Sequence, residues 1–297
     1  PICKVPNFII GWGFRYTKKR GKVQRWKCTH CNKTFIEKTG FERLVYPKET
    51  VSLAIAMKYV GDTFNEIADL LGMVEKTVRL WWRRFKHLLC DCFGSKHPSN
   101  PKNLYIDELF LNMRNTHYYI WSGIDFGRKW LYTAFTRNRR SDDAEQLISK
   151  MPEPLNKLYS DECFSYWQPI AKAYGMTWRY KHHIVCKDDN RHKNNVAERM
   201  QNEWRRWLHP QRGFHRAETG KLNVKAYEFY HNWLRKHTAL GGKTPAQALE
   251  YVSYEHKQTL PERIQQLVKQ AATSFWLIFT NRKLPKNPSE TQTEHLY

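Results

Sequence analysis

The chain has 297 residues, 50 Lys+Arg against 28 Asp+Glu, and a formal net charge of +22. That length holds two or three domains, and that charge is a footprint for a polyanion. Basic residues are interleaved with Trp, Tyr and Phe rather than gathered on one amphipathic helix, which favours nucleic acid over lipid. No apolar run is long enough to cross a bilayer; Ser274–Phe279 is far too short. Seven cysteines, an odd number with two close pairs, suit a reducing compartment and metal binding better than a disulfide framework.

Residues 1–40 read as a zinc ribbon. Cys28 and Cys31 form a C-x-x-C knuckle whose turn aims two thiolates at one tetrahedral ion. Cys3 is placed like the second half of another knuckle, whose partner would precede Pro1. A segment this small would lean on its metal to fold.

Residues 45–97 read as a helix-turn-helix. Val51, Leu53, Ala54, Ala56 and Met57 make one apolar face. Thr63 with Glu66 three residues on predicts a capping box, and Gly72 a tight corner. The next helix carries Lys76, Arg79, Arg83 and Arg84 beside Val78, Trp81 and Phe85, the division expected of a helix packed on one side and facing DNA on the other. His87, Cys90, Cys92 and His97 are read as helix-end residues running into a linker at Pro98–Pro101.

Residues 101–250 read as an α/β domain. Leu104–Met113, His117–Phe126 and Lys129–Thr136 are predicted strands. A helix from Ser141 to about Met151 follows, then a strand Lys157–Asp161, a helix Tyr166–Tyr174, a strand Thr177–Val185 and a helix of about Asn194–Leu208. That order is RNase-H-like, with a mixed five-stranded sheet whose first and fourth strands lie side by side. Asp107 and Asp161 would then meet at one sheet edge, and the last helix would bring an acid to them. Three such carboxylates can clamp two Mg²⁺ or Mn²⁺ ions for phosphoryl transfer. Glu162 would point to the opposite face, and Asp125 reads as a turn residue. Periodicity leaves both Glu198 and Glu203 open as the helical acid.

Asp107-Glu108-Leu-Phe-Leu, Tyr159-Ser-Asp161 and Asn194-Asn195-Val-Ala-Glu198-Arg199 resemble the DDE motif of insertion-sequence transposases. So do Arg212-Gly213-Phe214 and Leu240-Gly241-Gly242-Lys243-Thr244-Pro245-Ala246. The likeness is to insertion-sequence family six and its archaeal relatives with an integrase-type core, and spans about residues 1–250. It implies Asp107, Asp161 and Glu198 as the catalytic triad, 3′-end cleavage and strand transfer, and recognition of terminal inverted repeats in double-stranded DNA. It further implies a homodimer or larger synaptic assembly at the prokaryotic nucleoid, in the cytoplasm. Lys193, Arg199, Arg205, Arg206 and Arg212 would hold phosphates. Gln201 and Asn202 stand where such transposases often carry a basic residue. Residues 251–297 have no counterpart in that family; helix-like Pro261–Ala272 would pack on the core or serve an interface. The same residues would also suit a DNA-binding regulator derived from a transposase, or an RNase-H-like nuclease that cuts without joining.

Overall fold

The structure, a computed structural model, describes residues 9–17, 21–36, 39–42, 44–113, 115–185, 195–211 and 216–281. It divides into two compact units: residues up to 45 together with those from 266 onward, and residues 46–265.

In the first unit β1 (Ile9–Thr17), β2 (Gly21–Cys28) and β3 (Thr34–Ile36) form an antiparallel sheet in that order. Cys28 N donates to Lys33 O at 3.0 Å, closing the turn that carries Cys31. Asn32 supplies the left-handed conformation there (φ 55°), which its short polar side chain tolerates. Gly40 is buried at φ +83°, and a Cβ there would lie 2.4 Å from Val268 Cγ1. Only glycine meets both demands.

The second unit begins with α1 (Lys48–Val60), α2 (Phe64–Leu70) and α3 (Glu75–Phe93). The capping box forms: Thr63 Oγ1 accepts from Glu66 N at 3.2 Å, and Glu66 Oε2 accepts from Thr63 N at 2.7 Å. Gly72 turns the corner at φ 61°. Val78, Trp81 and Phe85 are buried, whereas Lys76, Arg79, Arg83 and Arg84 are exposed.

Next come β4 (Asn103–Met113), β5 (Thr116–Asp125), β6 (Leu131–Thr136), α4 (Ser141–Ile148), β7 (Lys157–Ser160), α5 (Trp167–Tyr174), α6 (Trp178–Lys181), β8 (His182–Ile184) and α7 (Asn195–Leu208). The sheet order is β6-β5-β4-β7-β8; the first three strands pair antiparallel, and β7 joins β4 and β8 in parallel. This is the mixed five-stranded sheet of an RNase-H-like core. One part of the sequence expectation fails: Thr177–Val185 is not one strand. Its first half is the short helix α6, pinned from outside the segment. Glu153 accepts from Thr177 Oγ1 at 2.6 Å and from Lys181 Nζ at 2.9 Å, leaving three residues for β8.

Alternation along β4 sends side chains to two layers. On one face Leu109 and Met113 join Ile120, Ile124, Leu131 and Phe135 against Met200, Trp204 and Trp207 of α7 and Val224 and Tyr227 of α8 (Ala217–Phe229). On the other, Trp121 meets Tyr166 edge-on at 5.5 Å beneath α4 and α5. The helices α1 and α3 share this core. Trp207 Nε1 donates to Tyr59 O at 3.0 Å, Lys86 Nζ donates to Asn223 Oδ1 at 3.0 Å, and Phe93 packs on Trp233. A π-helical turn at Tyr230–Leu234, α9 (Pro245–Ala248) and the start of α10 (Leu260–Asn281) complete the unit.

Candidate active site

Asp107 lies mid-β4 and Asp161 just past the end of β7. Tyr105 and Tyr159 are paired in register and stack at 4.5 Å. The β4–β7 pairing stops at that pair; Asp161 follows two residues beyond it, and its charge adds to that of Glu108 on Asp107. Asp107 shares its sheet face with its partner on β5, Ser122, which accepts from Trp204 Nε1 of α7 at 2.8 Å. Gln201, also on α7, donates to Asp107 Oδ2 at 2.5 Å and to Glu108 O at 3.0 Å. Glu198 sits one helical turn before Gln201, on the same side of α7, and is exposed. Arg205, one turn after, donates to Gln201 Oε1 at 3.3 Å and to Asn202 Oδ1 at 3.0 Å. Arg205, Gln201 and Asp107 thus form a relay of hydrogen bonds across the helix–sheet seam.

Asp107 is a strained acid. Burial raises its pKa to about 7, and the negative charges of Glu108 and Asp161 push the same way. The hydrogen bonds from Glu108 N (2.8 Å) and Gln201 only partly offset this. A half-buried carboxylate crowded by two others favours its neutral form unless a cation joins it.

Glu108 points to the opposite face. Its Oε2 accepts from Tyr166 OH at 2.5 Å, its Oε1 pairs with Arg139 Nη2, and burial raises its pKa. Arg139 also reaches Asp161 Oδ2 at 3.7 Å. Asp161 Oδ1 accepts from Cys163 N at 3.1 Å. Ligand atoms of Glu108, Asp161 and Cys163 lie within 4.8 Å of one another. Beneath Asp161, Ser160 Oγ donates to Asp161 O at 2.8 Å and lies 2.7 Å from His182 Nε2. Burial lowers the His182 pKa to about 4.

The competing acids have other partners. Glu203 binds Arg235 through both carboxylate oxygens, with Nη2–Oε1 at 3.0 Å. Asp125 Oδ1 accepts from Gly127 N at 3.0 Å and Arg128 N at 3.3 Å, closing the β5–β6 turn. Arg199, Arg205 and Arg206 are exposed on α7. Arg79 is engaged by Glu75 (Nε–Oε1 2.8 Å) and lies over the Phe64 ring at 4.5 Å. Cys28 is buried and Cys31 half-buried. Cys3, Lys193 and Arg212 fall outside the described residues.

Sequence reasoning assigned no role to Glu108, Tyr166 or Arg139. Glu108 carried a signal: beside Asp107 on a strand, it had to enter the opposite, buried layer. Arg139 carried none, because its partners lie 31 and 22 positions away.

Residues 102–237 match the family model of the IS240-type DDE domain. By that match the chain is a DDE-type enzyme. No curated protein matches the chain. Among solved structures, the magnesium complex of the HTLV-2 integrase catalytic core domain (trimeric form) is 16% identical, covering 52% of this chain and 99% of that one at a TM-score of 0.36. The simian T-cell lymphotropic virus intasome in complex with PP2A regulatory subunit B56 gamma is 14% identical, covering 71% and 77% at a TM-score of 0.39. Among the described residues no helix is long and apolar enough to cross a membrane.

Proposed function

We propose that this DDE enzyme is the transposase of an insertion sequence of family six or its archaeal integrase-core relatives. It binds the terminal inverted repeats, frees the 3′ ends of the element and joins them to target DNA. Asp107, Asp161 and Glu198 are its catalytic triad and hold two Mg²⁺ or Mn²⁺ ions. The observation that carries the reading is the crowded Asp107 carboxylate, which accepts from Gln201 of α7 and feels the charge of Asp161, two residues past the paired part of β7. These donors fit hard cations: all are oxygens, and Asp107 is held among other carboxylates that a divalent charge would relieve. When bound, the ions supply an activated attacking oxygen and stabilise the leaving 3′ oxygen.

The chain's own residues orient that site. Gln201 fixes the Asp107 carboxylate, and Arg205 fixes Gln201. Arg139 neutralises the neighbouring Glu108. Water attacks the phosphorus at the element's end and the P–O3′ bond breaks; the freed 3′-hydroxyl then attacks a target phosphorus, whose own P–O3′ bond breaks to release a target 3′-hydroxyl. Lys193, Arg199, Arg205, Arg206 and Arg212 hold phosphates, so affinity falls steeply with salt. The helix-turn-helix reads base edges through the face carrying Lys76, Arg79, Arg83 and Arg84. Cys28 and Cys31, two soft donors on one turn, together with Cys3, hold a structural Zn²⁺. Two ends cut in concert require a dimer or larger assembly.

The test is a labelled terminal-repeat oligonucleotide with target plasmid and Mg²⁺. Strand-transfer products support the transposase. Nicking alone supports a nuclease, and a gel shift without chemistry supports a regulator. Glu198→Gln should abolish activity; if only Glu203→Gln does so, the triad assignment fails.

A further inference from the structure

The sheet face that carries Glu108 is covered by α4 and α5 only near the acids. Beyond them, toward the β4–β5 hairpin tip, it presents Phe110 (49% exposed), Tyr119 directly opposite on β5, and exposed His117. Phe110 contacts both rings edge-on, at 4.9 Å to His117 and 5.7 Å to Tyr119. The segment joining β6 to α4 runs along this shelf as Arg137-Asn-Arg-Arg140, all exposed, and lines one recess with His117 and Tyr119.

That segment is fixed at both ends. Thr136 Oγ1 accepts from the buried Trp121 Nε1 at 2.7 Å and donates to Asn138 O at 2.8 Å. Ser165 Oγ donates to Arg139 O at 2.7 Å. The nearby Asp143 is committed to the start of α4, where its Oδ2 accepts from Arg140 N at 3.2 Å. Among the described residues Arg139 is paired with acids, while Arg137 and Arg140 form no ion pair. A rigid row of guanidinium groups with two unspent charges, beside an open aromatic row, is the pairing that single strands use: phosphates on the cations, bases on the rings. Arg139 joins the row directly to Asp161 and Glu108.

We infer that Phe110, His117, Tyr119, Arg137 and Arg140 form a binding shelf for an unpaired DNA strand, the frayed end next to the phosphate being cut. The inference rests on the function proposed above. A duplex would present its phosphates but keep its bases out of reach of the rings, so the shelf discriminates in favour of unpaired ends.

The experiment measures fluorescence anisotropy of a labelled 20-nucleotide single strand and of the matching duplex with the full chain, in Ca²⁺, across a salt series. Arg137→Ala/Arg140→Ala should weaken single-strand binding. It should also reduce the slope of log K against log salt by about 1.4, two phosphates at about 0.7 each. Phe110→Ala/Tyr119→Ala should weaken the single strand more than the duplex, with the slope unchanged. An unaltered single-strand slope in the arginine variant, or losses confined to the duplex, overturns the inference. If a variant does not fold, the unaltered chain is photocrosslinked to a 5-iododeoxyuridine oligonucleotide. Adducts on Phe110, His117 or Tyr119 are expected, and adducts restricted to other segments refute the shelf. Failure of the transposase reading would appear instead as absent Mg²⁺-dependent chemistry, which these binding measurements do not contain.

Discussion

Asp107→Asn should make the metal-free protein more stable while destroying its chemistry. Raising the Asp107 pKa from 3.8 to about 7 corresponds to about 4 kcal/mol of opposition to folding when the group is ionised. Because the folded-state pKa lies above the unfolded one, the penalty is complete above pH 7. It shrinks as pH falls from 7 toward 4, and is gone below 3.8. Asparagine removes the charge but cannot accept from both Glu108 N and Gln201 Nε2. Losing one of these bonds costs about 1 kcal/mol. The net gain at pH 8 is therefore about 3 kcal/mol, vanishing as pH approaches 4. Urea unfolding of both proteins in chelator, followed through the buried Trp121 and Trp204, measures it. In Mg²⁺ the unaltered chain should recover stability at pH 8 and Asp107→Asn should not. If Asp107→Asn is destabilised at pH 8, or its effect does not depend on pH, the crowded-acid account of this site is wrong.

Arg139→Ala removes the cation facing buried Glu108 and should cost about 1–3 kcal/mol in urea unfolding, the arginine's partial exposure holding it below a fully buried pair; Glu108→Gln in the same background should restore most of it. His182, with its pKa lowered to about 4, should remain neutral at pH 5.5 in the folded chain, read by the imidazole NMR shift. Its contribution opposes that of Asp107: the neutral site is fully compatible with folding above pH 6.5 and loses stability as pH falls from 6.5 toward 4. Gly40→Ala should destabilise the first unit by about 1–3 kcal/mol, since the new methyl group meets Val268 at a left-handed backbone position; protease sensitivity of residues 21–45 reports it.

Local chemistry was legible where local chemistry decides. Thr63 and Glu66 are three residues apart and each bonds to the other's backbone, so their capping box needed no tertiary information. The three meander strands and their pairing followed from alternating aromatic and β-branched residues between short turns. Where distant partners decide, the reading faltered. Thr177 and Lys181 are drawn into a helical turn by Glu153, more than 20 positions earlier, against the strand preference of the residues between. The face-switch at Asp107 and Glu108 was implicit in the pleat, but nothing in the sequence pairs Glu108 with Tyr166 and Arg139, 58 and 31 positions on. Nothing local marks the counter-ion of Glu203 either: it is Arg235, 32 positions on in a later segment.

The bond from the Trp207 indole to the Tyr59 carbonyl has a mechanical corollary. Helix α7 is a stiff strut with Glu198 near its leading end and Trp207 about 14 Å further along. Its trailing end is moored to the exit of α1, the first of the three helices that precede the sheet. A load that shifts α1 is therefore passed through this one bond to the trailing end of α7, and from there along the helix toward Gln201 and the Asp107 carboxylate it holds.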